Sequence, residues 1–179
     1  FQEPMTALNP VFTIGRQLVD IIRCRHGVGA AEARAAATIE LDRVRLPNAA
    51  LQLAKYPHQF SGGQLQRIML AAALACKPQL LIADEPTTAL DVTVQAEVLA
   101  LLKDLRRSEN LALLFISHDL GTVADLCDRI AVMEAGRIVE TGPTRAVLPS
   151  PQHPKTQALV DNLPHLATAA CSDTPPQAE

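Results

Sequence analysis

The sequence has almost no aromatic side chains: no tryptophan, one tyrosine and four phenylalanines. Proteins that grip nucleic acid by stacking bases need more rings than that. It also lacks a basic surplus, since 16 Lys and Arg stand against 19 Asp and Glu, for a net charge of -3. With no excess of positive charge to neutralise phosphates, no nucleic-acid partner is expected. Long hydrophobic runs are missing too. The longest, Ile68 to Cys76, falls well short of the roughly 20 apolar residues that span a bilayer. No secretory leader is visible. The cysteines Cys24, Cys76, Cys127 and Cys171 are scattered without a CxxC pair. No structural metal is therefore expected, and the thiols read as reduced core residues of a cytosolic protein.

What is present suits one globular domain: 179 residues, 48% of them apolar, enough for a core. The first third reads as helical. Ile14, Leu18, Ile21 and Ile22 recur at helical spacing, so a helix is expected over Thr13 to His26. A second is expected from Ala30 to Leu46, stopped by Pro47, and a short third from Asn48 to Lys55. Ser61 then caps a helix from about Gly62 to Cys76.

Beyond it the texture changes. Leu80 to Ala83 is a continuous apolar run ending on two acids, as expected of a buried parallel strand. Val92 to Arg107 has helical spacing, Leu111 to Ile116 is a second apolar strand, and a helix follows from about Asp119 to Leu126. Ile130 to Met133 and Arg137 to Glu140 flank Glu134-Ala135-Gly136 and read as a hairpin. Alternation of strands and helices implies an α/β fold with a parallel sheet covered on both faces. A last helix fits Lys155 to Leu163, and the small, polar residues from about Ala167 read as a disordered tail.

Three clusters carry chemistry. Ser61-Gly62-Gly63-Gln64 opens a helix, where uncovered N–H groups and the helix dipole favour an anion, although the same residues also make an ordinary N-cap. Asp84-Glu85 ends a buried strand, where α/β folds bind ligands. There Asp84 suits Mg²⁺, and Glu85 suits polarisation of a water attacking phosphorus. His118 ends the next strand, which places it beside Glu85. Gln2, in the loop at the start, attracts no notice alone.

Taken in order, Gln2, Ser61 to Gln64, Asp84-Glu85, Ala89-Leu90-Asp91 and His118 resemble the Q-loop, signature, Walker B, D-loop and H-loop of the ABC transporter ATP-binding domain, from Phe1 to about Pro143. Finer stretches, Phe1 to Pro10, Tyr56 to Gln64 and Ala83 to Gln95, are similar to the oligopeptide and dipeptide importer branch. So is the tail from Gly142 through Thr156, where Lys155 replaces that branch's usual aromatic.

The resemblance implies a P-loop NTPase-type parallel sheet with a helical subdomain at about 3–77, the rest of the catalytic core at about 78–143 and a C-terminal extension at 144–179. It implies ATP and Mg²⁺ as ligands, Glu85 as general base, and His118 bonded to the γ-phosphate. Ser61, Gly62, Gly63 and Gln64 would touch the ATP of a partner subunit, Gln2 would approach metal and water, and Asp91 would couple the two sites. The expected partners are a second ATPase subunit, identical or sister, and transmembrane permease subunits, at the cytoplasmic face of the membrane. The helices between Gln2 and Phe60 would dock onto the permease. No Gly-x-x-x-x-Gly-Lys-Ser/Thr occurs in the 179 residues. That departure gives the expectation of a piece lacking the phosphate loop and N-terminal strands, inactive alone, with exposed sheet edges and apolar helix faces. A DNA-repair type ATPase is the main rival, but the interval from Gln2 to Ser61 has no heptad repeat and no room for a coiled coil. A degenerate, non-catalytic subunit is disfavoured because Glu85 and His118 are both present. Nickel, glutathione or sugar remain alternative cargoes.

Overall fold

Thr13 accepts a hydrogen bond on its hydroxyl from the Arg16 N–H and so starts helix α1, Ile14–His26. In the computed structural model, which describes residues 7–88, 90–109 and 111–163, this helix buries Ile14, Leu18 and Ile22 along one stripe. Gly27 closes it in the left-handed conformation, φ 68°, its N–H bonded to the Arg23 carbonyl. Arg23, Arg25 and His26 complement the negative helix end.

Helix α2, Ala30–Arg43, stops short of the expected Leu46. Arg45 turns the chain at φ 58°, yet Leu46 still reaches the core. Helix α3 is only Ala49–Gln52, also shorter than expected. After a 3-10 turn at Pro57–Gln59 comes α4, Gly62–Leu74. Ile14, Leu18, Leu41, Leu46, Leu53, Leu65 and Ile68 fill the core of this helical layer.

Strand β1, Leu80–Asp84, pairs in parallel with β2, Ala112–Ile116, with Leu80 opposite Ala112 and Asp84 opposite Ile116. Between them runs α5, Val92–Ser108, which buries Val98, Leu101, Leu102 and Leu105. Three arginines of the helical layer pair with acids on or just after α5: Arg43 with Glu109, Arg45 with Asp104 and Arg67 with Glu97. The strands depart from expectation in one respect. Leu81, Ala83 and Phe115 are buried, but Leu80, Ile82, Leu114 and Ile116 are 45–50% exposed on the other face. Continuous apolar runs mark both faces for burial, and only one is covered among the described residues.

These elements form one compact unit, 1–118; residues 119–179 form another. In the second, α6 is Leu120–Leu126 and the hairpin is β3, Arg129–Glu134, with β4, Arg137–Pro143. Ala135 and Gly136 both take positive φ at the two-residue turn, the geometry that matches strand twist. A one-turn helix α7, Thr144–Val147, was not expected from the sequence. Its Val147 packs with Ile130 and Val132. Helix α8, Pro154–Asp161, begins on proline, whose missing N–H costs nothing there.

The Glu140 carboxylate receives the backbone N–H groups of Gln152 and His153, each at 3.0 Å, and so ties the start of α8 to β4. The Thr156 hydroxyl and those two N–H groups hold its pKa below the usual value. A depressed carboxylate contributes stability above pH 4.5, the ordinary value, and that stability is lost as pH falls through the lower folded value. Glu140→Gln is accordingly expected to speed amide exchange in residues 152–161 at neutral pH and to flatten the acid sensitivity of that segment. Exchange rates equal to the parent's would contradict this anchor.

The thiols need a correction. Cys24 is exposed and Cys76 and Cys127 are only partly covered, so none of the three is a core residue. On a helix only one stripe faces inward, and Cys24 lies off the stripe of Ile14, Leu18 and Ile22. Cys171, like the expected tail, lies outside the described residues.

Candidate catalytic carboxylate and signature helix

Parallel pairing of β1 and β2 in register brings two loop starts together. The Glu85 N–H continues the ladder by donating to the Ile116 carbonyl at 2.9 Å. Two residues on, the His118 ring Nδ1 donates to Glu85 Oε1 at 2.9 Å and the His118 backbone N–H donates to the same oxygen at 3.1 Å. Glu85 Oε2 accepts from the Thr88 hydroxyl at 2.6 Å. Glu85 itself sits at φ 47°, a conformation rare for a side chain of this size and a form of strain that clusters at functional sites.

Burial alone would raise the Glu85 pKa, but the hydroxyl of Thr88 and the ring and N–H of His118 outweigh it and leave the pKa lowered. The side chain is therefore an anion throughout the neutral range. Asp84 is half-buried at the end of β1. One carboxylate beside phosphate oxygens and waters is a usual donor set for Mg²⁺, so Asp84 fits that ion. No group of three or more potential metal ligands occurs among the described residues.

At the start of α4, Ser61 Oγ accepts from the Gln64 N–H at 3.3 Å and Gln64 Oε1 accepts from the Ser61 N–H at 3.0 Å. This capping box uses locally both side chains that the run Ser61 to Gln64 possesses, since Gly62 and Gly63 have none. The N–H groups of Gly62 and Gly63, in the first turn, have no acceptor within the helix. Gly62 is exposed, and a Cβ there would meet only Leu90 Cδ2, at 3.5 Å. Gly63 is different, because a Cβ there would lie 2.2 Å from Val94 Cγ1. Asp91 caps α5 by accepting from the Val94 N–H at 3.0 Å. Gln2 and Ala89 lie outside the described residues.

The fold thus unites Glu85 and His118 directly and joins α4 to the start of α5 through Gly62, Gly63, Leu90 and Val94. Sequence reasoning missed Thr88 and the Gly63–Val94 contact. A hydroxyl three residues after an acid, across a proline turn, was the available signal for the first.

Residues 1–88 match the family model described as ABC transporter. The glutathione import ATP-binding protein GsiA of Escherichia coli (strain K12) is 50% identical over 175 residues, 98% of this chain and 28% of that protein. GsiA of Salmonella typhi is 52% identical over 166 residues, 93% of this chain and 27% of its own. The chain thus spans less than a third of the length of these relatives. The solved dimer of the ATP-binding cassette MJ0796 in a post-hydrolysis state with ADP and Pi superposes with a TM-score of 0.68 at 28% identity, over 81% of this chain and 61% of that one. For cbiO1 of Clostridium perfringens, part of the ABC transporter complex cbiONQ, the TM-score is 0.72 at 25% identity, over 92% and 62%.

Proposed function

We infer that this chain, whose residues 1–88 belong to the ABC transporter family, is part of an ATP-binding and ATP-hydrolysing subunit that powers an importer. The observation that carries the reading is the Glu85–His118 pair, 2.9 Å apart at the ends of neighbouring parallel strands. Glu85 orients and polarises the attacking water. Its lowered pKa makes it a weak base, which suits a loose phosphoryl-transfer transition state that needs no early deprotonation.

His118 contacts the γ-phosphate. Its Nδ1 is directed at Glu85, so the ring meets the phosphate through its other nitrogen, Nε2. Asp84 would hold Mg²⁺, which would supply neutralisation of charge on the phosphates. The start of α4, with Ser61, Gly62, Gly63 and Gln64, presents N–H groups to ATP held by a second ATPase subunit, identical or sister. Gln2 approaches metal and water, and Asp91 transmits between the paired sites. No phosphate-cradling loop occurs within the 179 residues, so the reading concerns the complete ATPase.

The cargo we propose is an oligopeptide or dipeptide. Glutathione, named for the relatives in Escherichia coli and Salmonella, is itself a small peptide and falls within that class. Among the described residues no helix is long and apolar enough to cross a membrane. The subunit sits peripherally at the cytoplasmic face and works with permease subunits that supply the path. Residues 1–143 belong to the ATPase domain, with its helical part at about 3–77, and 144–179 to an extension.

Reconstitution of the complete ATPase with its permease in vesicles tests this. ATP-driven uptake of labelled dipeptide or glutathione is expected, and uptake of nickel or sugar alone would move the cargo to another class. Gly62→Asp places an anion where phosphate should arrive, while its Cβ has room beside Leu90. It should lower ATP turnover by about tenfold or more through lost charge stabilisation, with melting temperature close to the parent's. Absence of Mg²⁺-dependent ATP hydrolysis in the complete parent protein would overturn the reading.

A further inference from the structure

We propose that Thr88 is a positioning residue for the Glu85 carboxylate, fixing the oxygen that takes the proton of the attacking water. The inference rests on the ATPase reading above and adds a residue to it. The turn Glu85-Pro86-Thr87-Thr88 is closed twice by Thr88. Its N–H donates to the Glu85 carbonyl at 3.4 Å, and its hydroxyl donates to Glu85 Oε2 at 2.6 Å. Pro86 pre-sets the backbone at the second turn position. Buried Thr87 pins the middle of the turn. Thr88 has a branched Cβ and hence few rotamers, so its hydroxyl stays on the Glu85 side.

A carboxylate offers about four acceptor positions, two on each oxygen. Oε1 spends both of its own on His118, through the ring and the backbone N–H. Oε2 spends one on Thr88. Among the bonds of the described residues, one position on Oε2 remains to receive a water proton, and its direction is set by the bond from Thr88. Glu85 is already held at φ 47°. With Thr88 silent, the carboxylate would be tethered at one oxygen only, free to swing the other about the His118 contact.

The test uses the complete ATPase and compares Thr88→Val, Thr88→Ser and Glu85→Gln. Thr88→Val keeps shape and branching but has no donor. It should lower kcat by about 10- to 100-fold, the upper end being what a misplacement of about 1 Å can cost, while KM for ATP stays within about twofold. Thr88→Ser keeps the donor and should recover most of the lost turnover. Thr88→Val turning over at the parent's rate while Glu85→Gln is inactive would overturn this proposal and leave the ATPase reading intact. Equal losses in Thr88→Val and Thr88→Ser would also overturn it, since shape and not the hydroxyl would then matter. Activity retained by Glu85→Gln would strike the ATPase reading itself. Thr88 is exposed, so melting curves of both variants should match the parent's; where Val unfolds the protein, Thr88→Ala takes its place under the same criteria.

Discussion

Glu85→Gln is expected to lower ATP turnover of the complete ATPase by about 10²–10⁴-fold, the range a positioned base contributes. The substitution isolates that contribution because it disturbs little else. The amide oxygen of Gln still accepts from His118 Nδ1 and its backbone N–H, which now hold Oε1 at 2.9 and 3.1 Å. The amide nitrogen can donate to the Thr88 hydroxyl, which rotates to accept. What disappears is the acceptor position on Oε2 and the negative charge. ATP affinity should therefore stay within a few-fold, and nucleotide-dependent pairing of subunits should persist without turnover. A variant within tenfold of the parent would remove Glu85 from the chemistry. The acid side of the profile follows from the same contacts. Glu85 titrates below the ordinary 4.5, so turnover lost between pH 6 and 8 has to come from another group. The linkage has the same sign: the stability that these bonds confer holds above that ordinary value and fades as pH falls through the lower folded one.

Gly63→Ala should lower the stability of the 179-residue chain by about 1–3 kcal/mol, the cost of overpacking a filled contact. The new Cβ would stand 2.2 Å from Val94 Cγ1, far inside contact distance, so α4 and α5 would have to separate at their starts. Those starts carry Ser61 and Asp91, the two caps, and the separation would displace the helix end that we propose meets a phosphate. Val94→Ala removes the clashing methyl. The distance from the new Cβ to Val94 Cβ is 3.6 Å, an ordinary contact. Together the two substitutions should be less costly than their sum, by about 0.5–3 kcal/mol in a double-mutant cycle. Denaturant midpoints read this directly. An unshifted midpoint for Gly63→Ala would show that the helices do not meet as described.

Much of the architecture was legible because it rests on local signals. Thr13 with Ile14, Leu18 and Ile22 marks a cap and a stripe, and α1 starts and buries as that pattern requires. The two apolar runs became β1 and β2, and acids and imidazole at their ends came together because parallel strands carry equivalent ends to one edge. Other features depend on backbone angles that composition does not announce. Arg45 at φ 58° ends α2 early although Ala and Leu favour continuation. The one-turn helix at Thr144 follows from the Thr144 hydroxyl and N–H bonding back to Cys127 and Asp128, contacts 16 to 17 residues away in sequence.

The sequence by itself determined the order of elements, the acid pair at a strand end, the glycines at a helix start and the family they resemble. Each is written in neighbouring residues, where hydrogen-bond geometry and helical or strand period act over a few positions. Only the tertiary structure decided that Thr88 and His118 divide the oxygens of Glu85 between them, that Gly63 is required by Val94, and that Leu80, Ile82, Leu114 and Ile116 share an open face. The Thr88 bond lies within one turn and depends on its backbone angles; the other facts depend on which side chains meet across separate elements, and period and propensity do not encode distances between elements.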